Sequence, residues 1–164
     1  MLVIVDLYRD YSMARESNTW AKCSRRWHGL GQFVRIEAKS AGVPDVCWTS
    51  GGRSGWLELK CSPVGLGPWY ADLRAEQAVW LGKWSEAGGL CGVLVECSVS
   101  GRWALFSGSG LSYYRQARRG LVSPSCVLSD PDWNSVMGAF HAKNDGRRPD
   151  EANQGTHVGE VRDR

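Results

Sequence analysis

The chain has 164 residues, of which 43% are hydrophobic and 23% are charged, and its formal net charge is +3. This length suits one domain with its own hydrophobic core, and the composition is that of an ordinary globular protein. No apolar run approaches the roughly 18 residues that a membrane-spanning helix needs, and the start of the chain turns acidic too early for a secretory signal. We therefore expect a cytoplasmic protein with no membrane partner, whose mild positive charge permits a polyanionic partner without demanding one.

The cysteines are scattered through apolar segments. They are Cys23, Cys47, Cys61, Cys91, Cys97 and Cys126. Without a signal peptide they are expected to act as small buried hydrophobes in a reducing compartment, and not as a disulfide framework. The sequence has no Cys-x-x-Cys pair, and its three histidines are not clustered with cysteines. A structural zinc site is therefore not expected.

The first predicted element is a helix over 16–27. Trp20, Cys23 and Trp27 recur at helical spacing, and Gly29 can cap the end of the helix. Basic residues lie beside this apolar stripe. The pattern therefore predicts a helix with one face on the core and positive charge at its margin.

A strand over 32–38 and a hairpin over 45–60 are predicted next. The dipeptide at 51–52 is Gly-Gly, which favours a two-residue type I′ turn because both central positions of that turn need positive φ. If these glycines form the whole loop, the numbers of cross-strand partners sum to 103. The turn therefore predicts the register of the hairpin.

In that register the charged residues of the hairpin come together. Asp45 lies opposite Glu58, with the two carboxylates about 5 Å apart. Alternation along the strand puts Lys60 on the face of Glu58 and turns Leu57 and Leu59 to the other face. Two adjacent carboxylates repel, and a divalent cation between them would resolve the conflict.

The second half of the chain predicts a helix over 71–87, closed by Gly-Gly at 88–89. Its inward stripe is Leu73, Gln77, Trp80, Leu81 and Trp84. A nearly continuous apolar strand over 89–99 follows, and it is expected to be central and paired with a fifth strand over 102–108.

A last helix is predicted over 130–143, with Asp130 as N-cap and Pro131 at the first helical position. Its apolar face consists of Trp133, Val136, Met137 and Phe140. The remaining residues, 144–164, contain no aromatic, leucine or isoleucine and carry mixed charges. They are predicted to be a disordered tail that folding and activity do not require.

The predicted order of helix, three strands, helix and strand carries "PD" (Pro44, Asp45) before the second strand and "ELK" (Glu58–Lys60) on the third. Over about 16–106 this pattern resembles the PD-(D/E)XK nuclease superfamily. Within that superfamily it is most similar to the compact VRR-NUC-like and Holliday-junction-resolvase-like members of phages and bacteria. The resemblance implies an α/β restriction-endonuclease-like core, a central mixed sheet of four to five strands flanked by helices. A single nuclease-like domain would then occupy 1–143, with a helical addition over 111–143.

The resemblance also implies the chemistry. Members hydrolyse phosphodiester bonds with Mg²⁺ (or Mn²⁺), which neutralises charge on the phosphoryl oxygens and lowers the pKa of the attacking water. Asp45, Glu58 and the backbone carbonyl of Leu59 would bind the metal, and Lys60 would position or deprotonate the water or stabilise the transition state. The alternative is an exposed ladder in which Asp45, Glu58 and Lys60 only pair with one another on a solvated strand.

Two polar residues of the predicted helices, Glu16 and Gln77, are further candidates for the site, and Glu37 at the end of the first strand is an alternative to Glu16. Glu16 follows the line of the Trp20 stripe, and helix acids of this family approach the metal, but a first-turn glutamate also complements the helix dipole. Glu37 is the substitute third acid. Gln77, in an apolar stripe, needs hydrogen-bond partners. It is either a residue reaching the catalytic centre, as in related nucleases, or a satisfied core amide.

Clustered basic residues suit a DNA partner, since phosphate neutralisation supplies most non-specific affinity. They are Lys22, Arg25, Arg26, Arg53, Arg115, Arg118 and Arg119, each of which alone is more often solvated surface. Trp69 and Tyr70 are the aromatics expected beside the site.

The resulting prediction is a metal-dependent DNA endonuclease. The sequence does not say whether the substrate is a junction, a linear duplex, single strands or RNA. The resemblance suggests branched or junction DNA, in the replication, recombination or processing of phage or mobile-element DNA in a bacterial cytoplasm. Resolvases of this type act as homodimers, and the Trp133–Phe140 face is the one candidate dimer surface. The competing hypothesis is a non-catalytic DNA-binding or assembly protein on the same fold.

Overall fold

The computed structural model describes residues 17–37, 41–62, 73–107 and 124–144 of the chain. Within these ranges it has three helices: α1 over 17–27, α2 (Ala75–Glu86) and α3 (Trp133–Asn144). The strands are β1 (Gln32–Arg35), β2 (Val46–Ser50), β3 (Arg53–Ser62), β4 (Leu90–Cys97), β5 (Trp103–Ser107) and β6 (Cys126–Leu128).

The strands form one mixed sheet whose spatial order follows the chain order from β1 to β6. The pair β3–β4 is parallel, and every other neighbouring pair is antiparallel. Parallel strands need a crossover connection, and α2 lies in the one between β3 and β4. The fold class is α/β with a mixed sheet, as predicted.

The predicted count of four to five strands is wrong, because β6 adds a sixth strand beside β5. This strand lies in the segment 111–143 that was predicted to be helical. It has only three residues, half-buried, exposed and buried in turn. Three residues are too few for a strand period to be visible in a sequence.

The hairpin of β2 and β3 has the predicted turn. Gly51 and Gly52 both have positive φ, 57° and 73°. The pairs Ser50–Arg53 and Val46–Leu57 confirm the predicted register. Side chains of β3 therefore alternate between the two faces of the sheet as the turn requires.

Each face of the sheet has its own core. The larger core contains Leu57 and Leu59 of β3 and is covered by α1 and α3. Its buried members are Cys23, Trp27, Val46, Trp48, Leu57, Leu59, Leu94, Trp103, Leu105, Leu128, Trp133, Val136, Ala139 and Phe140. The smaller core lies under α2 and consists of Leu81, Cys91, Val93, Val95, Ala104 and Phe106. The predicted Trp133–Phe140 face is thus occupied by the sheet within the chain.

The first two helices differ from prediction only at one boundary. α1 ends at Trp27, and Gly29 has the positive φ of 79° expected of a C-cap. α2 begins at Ala75, because Arg74 is extended, with φ −63° and ψ 149°. Residues 71–72, which were predicted to be helical, lie outside the described residues. The Gly-Gly end of α2 is confirmed by the φ of 83° at Gly88.

The predicted N-cap of α3 is wrong, because Asp132 and not Asp130 has that role. Asp132 Oδ2 accepts hydrogen bonds from Ser135 N at 2.9 Å and Ser135 Oγ at 2.7 Å. The hydroxyl of Ser135, followed by its backbone N–H, holds the pKa of Asp132 below its ordinary value. Asp130 is instead paired with Arg26, at 2.6 Å between Oδ2 and Nη2. The helix therefore begins two residues later than predicted, at Trp133.

The predicted disordered tail, 144–164, was placed one residue too early, because Asn144 is the last residue of α3; residues 145–164 lie outside the described residues. Among the described residues no helix is long and apolar enough to cross a membrane. Of the cysteines predicted to be buried, Cys23, Cys91 and Cys97 are buried, whereas Cys47, Cys61 and Cys126 are half-buried. Burial raises the pKa of the Cys91 thiol to about 12 and that of Cys126 above its ordinary value. Buried, protonated thiols of this kind behave as apolar groups.

Replacing Asp132 by Ala is expected to lower the free energy of unfolding by about 1 kcal/mol at neutral pH, because the helix loses its N-cap acceptor. The pKa of Asp132 is lowered by folding, so the contribution of its carboxylate is complete above the unfolded-state pKa of about 4. The contribution is lost as the pH falls through the folded-state value. Urea unfolding at several pH values measures both effects.

The matched control is Asn134→Ala on the exposed side of the same turn, which should leave stability nearly unchanged or slightly higher. An Asp132→Ala deficit that stays constant down to the acid limit would show that the carboxylate charge is not what caps α3.

Candidate functional site

The candidate site lies under the first turn of α2, at the middle of β3. Glu58 and Lys60 are two residues apart on β3 and share the face that α2 covers. The Glu58 side chain is fully buried and that of Lys60 is 9% exposed, with 2.9 Å between Lys60 Nζ and Glu58 Oε1. The alternative interpretation, in which these charged residues only pair with one another on a solvent-exposed strand, is therefore wrong for Glu58 and Lys60. Buried charges are rare unless they are paired in this way.

Gln77 connects Glu58 to the start of α2. Its Nε2 donates to Glu58 Oε1, and its Oε1 accepts from the Arg74 backbone N–H at 3.0 Å. Because a backbone N–H can only donate, the amide oxygen faces Arg74 and the NH₂ group faces the carboxylate. Gln77 is also 1% exposed. Its predicted position, inward and one hydrogen bond from the acidic group, is confirmed, and its catalytic role stays a prediction.

Asp45 is attached to β3 by its side chain. Its half-buried carboxylate accepts a hydrogen bond from the Leu59 backbone N–H at 2.9 Å, and its backbone carbonyl accepts from Ile36 N at 2.7 Å. The hairpin register places Pro44 opposite Leu59, and the ladder would there need a backbone N–H that proline lacks. β2 begins only at Val46. The proline leaves the Leu59 carbonyl without a ladder donor, while the Leu59 N–H donates to the Asp45 carboxylate.

Gly42 brings the loop before Asp45 against α2. It has φ 93°, and a Cβ there would lie 2.7 Å from the carbonyl oxygen of Glu76. Only glycine combines this backbone conformation with so close an approach. The loop that carries Asp45 and the turn that carries Gln77 are thereby in contact.

The third acid is not found among the described residues. Glu16 lies outside them, and the α1 stripe of Trp20, Cys23 and Trp27 packs on the sheet face opposite to Glu58. Glu37 is described and is exposed just after β1. Across the described ranges, no group of three or more His, Cys, Asp and Glu side chains is placed to hold a metal ion.

The basic residues predicted to contact DNA have different environments. Lys22 pairs with Glu96, and Arg26 pairs with Asp130 at 2.6 Å. Arg25 and Arg53 are exposed, the latter at the hairpin turn. The remaining predicted contacts, Arg115, Arg118, Arg119, Trp69 and Tyr70, lie outside the described residues.

Sequence reasoning missed Glu96, a buried acid of β4 on the α1 side of the sheet. Its Oε2 accepts from Thr19 Oγ1 at 2.8 Å, and its Oε1 pairs with Lys22. Burial, with Glu96 close by, raises the pKa of the Cys23 thiol. The signal was visible as a single glutamate in the apolar run 89–99. Its partners are more than 70 residues away, so the sequence could not name them.

The chain matches no known protein-family model, and no curated protein is significantly similar to it in sequence. Its chemistry is therefore inferred from the site itself. The buried Glu58 carboxylate contacts the Lys60 ammonium and the Gln77 amide. The Asp45 carboxylate accepts a hydrogen bond from the backbone N–H of Leu59, the residue between Glu58 and Lys60. Hard oxygen donors therefore lie beside a fixed positive charge. A fixed positive charge in such a buried position can stabilise a developing negative charge.

Replacing Gly42 by Ala is expected to destabilise the fold by more than about 1 kcal/mol. The substitution forces a side chain into positive φ and against the Glu76 carbonyl. The matched control is Gly138→Ala in α3, where a Cβ meets open space, and which should stabilise by up to about 1 kcal/mol. Urea unfolding of both variants tests the prediction, and equal effects would show that Gly42 has no special contact.

Proposed function

We propose that the chain is a metal-dependent DNA endonuclease of the PD-(D/E)XK type. The observation that carries the proposal is the buried contact of Glu58 and Lys60, two residues apart on one strand, with Gln77 on the same carboxylate oxygen. Replacing a buried ion pair with apolar residues of similar size is often neutral or stabilising. Stability alone is thus a weak reason for this pair, whereas charge networks of this kind cluster at functional sites.

The arrangement of elements supports the same proposal. The chain runs α1, β1, β2, β3, α2 and β4, with β3 and β4 parallel and α2 in the crossover. This is the order that a restriction-endonuclease-like core requires. The acid-x-lysine pair lies in the middle of the sheet, and the preceding acid lies at the start of the neighbouring strand.

The donor set fits a small hard cation. Asp45 and Glu58 would supply carboxylate oxygens to it, and the carbonyl of Leu59 would supply a neutral one. Pro44, which faces Leu59 in the hairpin register, has no N–H to donate to that carbonyl. Mg²⁺ accepts such oxygens from few protein groups and keeps several waters. When bound, the cation would neutralise charge on the phosphoryl oxygens and lower the pKa of the attacking water.

The protein's own residues hold this chemistry in place. Gln77 fixes the orientation of the Glu58 carboxylate through its bond to the Arg74 backbone. Lys60 is held beside that carboxylate and presents a positive charge where the phosphoryl group becomes more negative in the transition state. Asp45 is fixed by the Leu59 N–H. A preference for branched or junction DNA, in phage or mobile-element processing, follows from the resemblance and is part of the proposal.

Lys60→Ala should cut the rate of DNA cleavage by roughly 10²–10⁴-fold and leave divalent-cation binding largely intact, because the ammonium acts in the transition state. Asp45→Ala should lose both, with cation affinity falling by at least about tenfold, since it removes a ligand. Calorimetry with Mg²⁺ and Mn²⁺ measures binding. Labelled branched and linear DNAs measure cleavage.

Asn134→Ala is the control, since Asn134 is exposed on α3, which covers the opposite face of the sheet, and it should change neither quantity. Circular dichroism establishes that each variant is folded. Wild-type cleavage by Lys60→Ala would remove the lysine from the mechanism. If the wild type neither binds a divalent cation nor cleaves any of these DNAs, the chain is the non-catalytic DNA-binding alternative.

A further inference from the structure

Three tryptophans form a contiguous cluster on the sheet face that carries Glu58. The ring centroids of Trp56 and Trp80 are 5.1 Å apart at an interplanar angle of 68°, and those of Trp80 and Trp84 are 5.4 Å apart at 9°. Trp56 and Trp84 are 6.1 Å apart at 77°. Two indoles are therefore stacked in parallel on α2, and the third meets both by its edge.

Trp84 is exposed but is held in a defined position. It is 37% exposed, among the few large apolar side chains that are so. Trp80 stacks against it, and a Cβ at Gly89 would lie 2.0 Å from its Nε1, so the backbone after α2 touches the ring. A rigid aromatic group binds a ligand with little loss of conformational entropy.

The cluster lies next to the candidate site, at short distances along β3 and α2. Trp56 precedes Glu58 by two residues on one strand, which is about 7 Å. Trp84 follows Gln77 by seven residues on one helix, which is about 10 Å. Both separations are short enough for one DNA strand to contact the candidate site and the cluster together.

We propose that Trp84, supported by Trp80 and Trp56, is a stacking platform for an unpaired base of the DNA strand that passes through the site. This inference rests on the proposed function and names its substrate class, which is DNA with a single-stranded segment. An indole face stacks on the face of a base, and a paired base in a duplex presents only its edges in the grooves.

A nucleic acid strand fits this surface better than an apolar protein partner. Lys83 and Glu86 are exposed on α2 beside Trp84, so the ring lies among charged side chains of both signs. One exposed indole among charged side chains is a small apolar area, whereas the centres of protein interfaces are depleted in charged residues. The cluster is also continuous with Glu58 through β3 and with Gln77 through α2.

The test is the binding of fluorescein-labelled oligothymidylate, and of a duplex of equal length, to the full chain without divalent cations. Trp84→Leu should weaken single-strand binding about tenfold, since it keeps apolar volume and removes the ring. Trp84→Phe should stay within about threefold of the wild type. Duplex binding should change less than twofold in both variants.

Trp20→Leu, the same substitution on the opposite sheet face, is the matched control and should bind both DNAs like the wild type. Equal losses on single strand and duplex, or no loss on either, would overturn the platform. So would a wild type that is dimeric and becomes monomeric in Trp84→Leu with unchanged DNA affinity, because a second copy would then cover the cluster.

The two proposals fail in distinguishable ways. Mg²⁺-dependent cleavage that persists while Trp84→Leu leaves single-strand binding unchanged removes the platform and keeps the nuclease. Loss of single-strand binding in Trp84→Leu, with no cleavage by the wild type under any condition, keeps the platform and removes the nuclease.

Discussion

The buried carboxylate of Glu58 is the constraint on which the rest of this structure depends. A charge without solvent costs several kcal/mol unless it is paired and hydrogen-bonded. Lys60 supplies the opposite charge from the same strand, and Gln77 supplies an amide from α2. α2 must therefore lie across β3 with its first turn directly over the pair. The crossover that makes β3 and β4 parallel is the connection that places it there.

The start of β2 shows how a break in regular structure becomes part of the site. β2 begins only after Pro44 and Asp45, and the side chain of Asp45 accepts a hydrogen bond from the backbone N–H of Leu59 on β3. Gly42 then allows the loop to touch the first turn of α2. Ladder, loop and helix are thereby joined within a few residues, so a disturbance of any of them displaces the carboxylates.

Ion pairs on the other face of the sheet hold α1, and this changes how the basic residues of that helix are understood. Lys22 is paired with the buried Glu96, and Arg26 with Asp130 next to α3. Their charges are matched within the chain, which leaves less of the positive charge of α1 for a polyanion. The exposed Arg25 is not matched in this way by any ion pair among the described residues.

The sequence by itself determined the features that depend on neighbours in the chain. The glycines at 51–52 set the register through their positive φ, and alternation then put Glu58 and Lys60 on one face. Only the tertiary structure decided that this face is buried, that Arg26 pairs with Asp130, and that a sixth strand joins the sheet. Turn geometry and periodicity act over a few residues, whereas burial and ion pairing join residues far apart in the chain, where no local pattern records them.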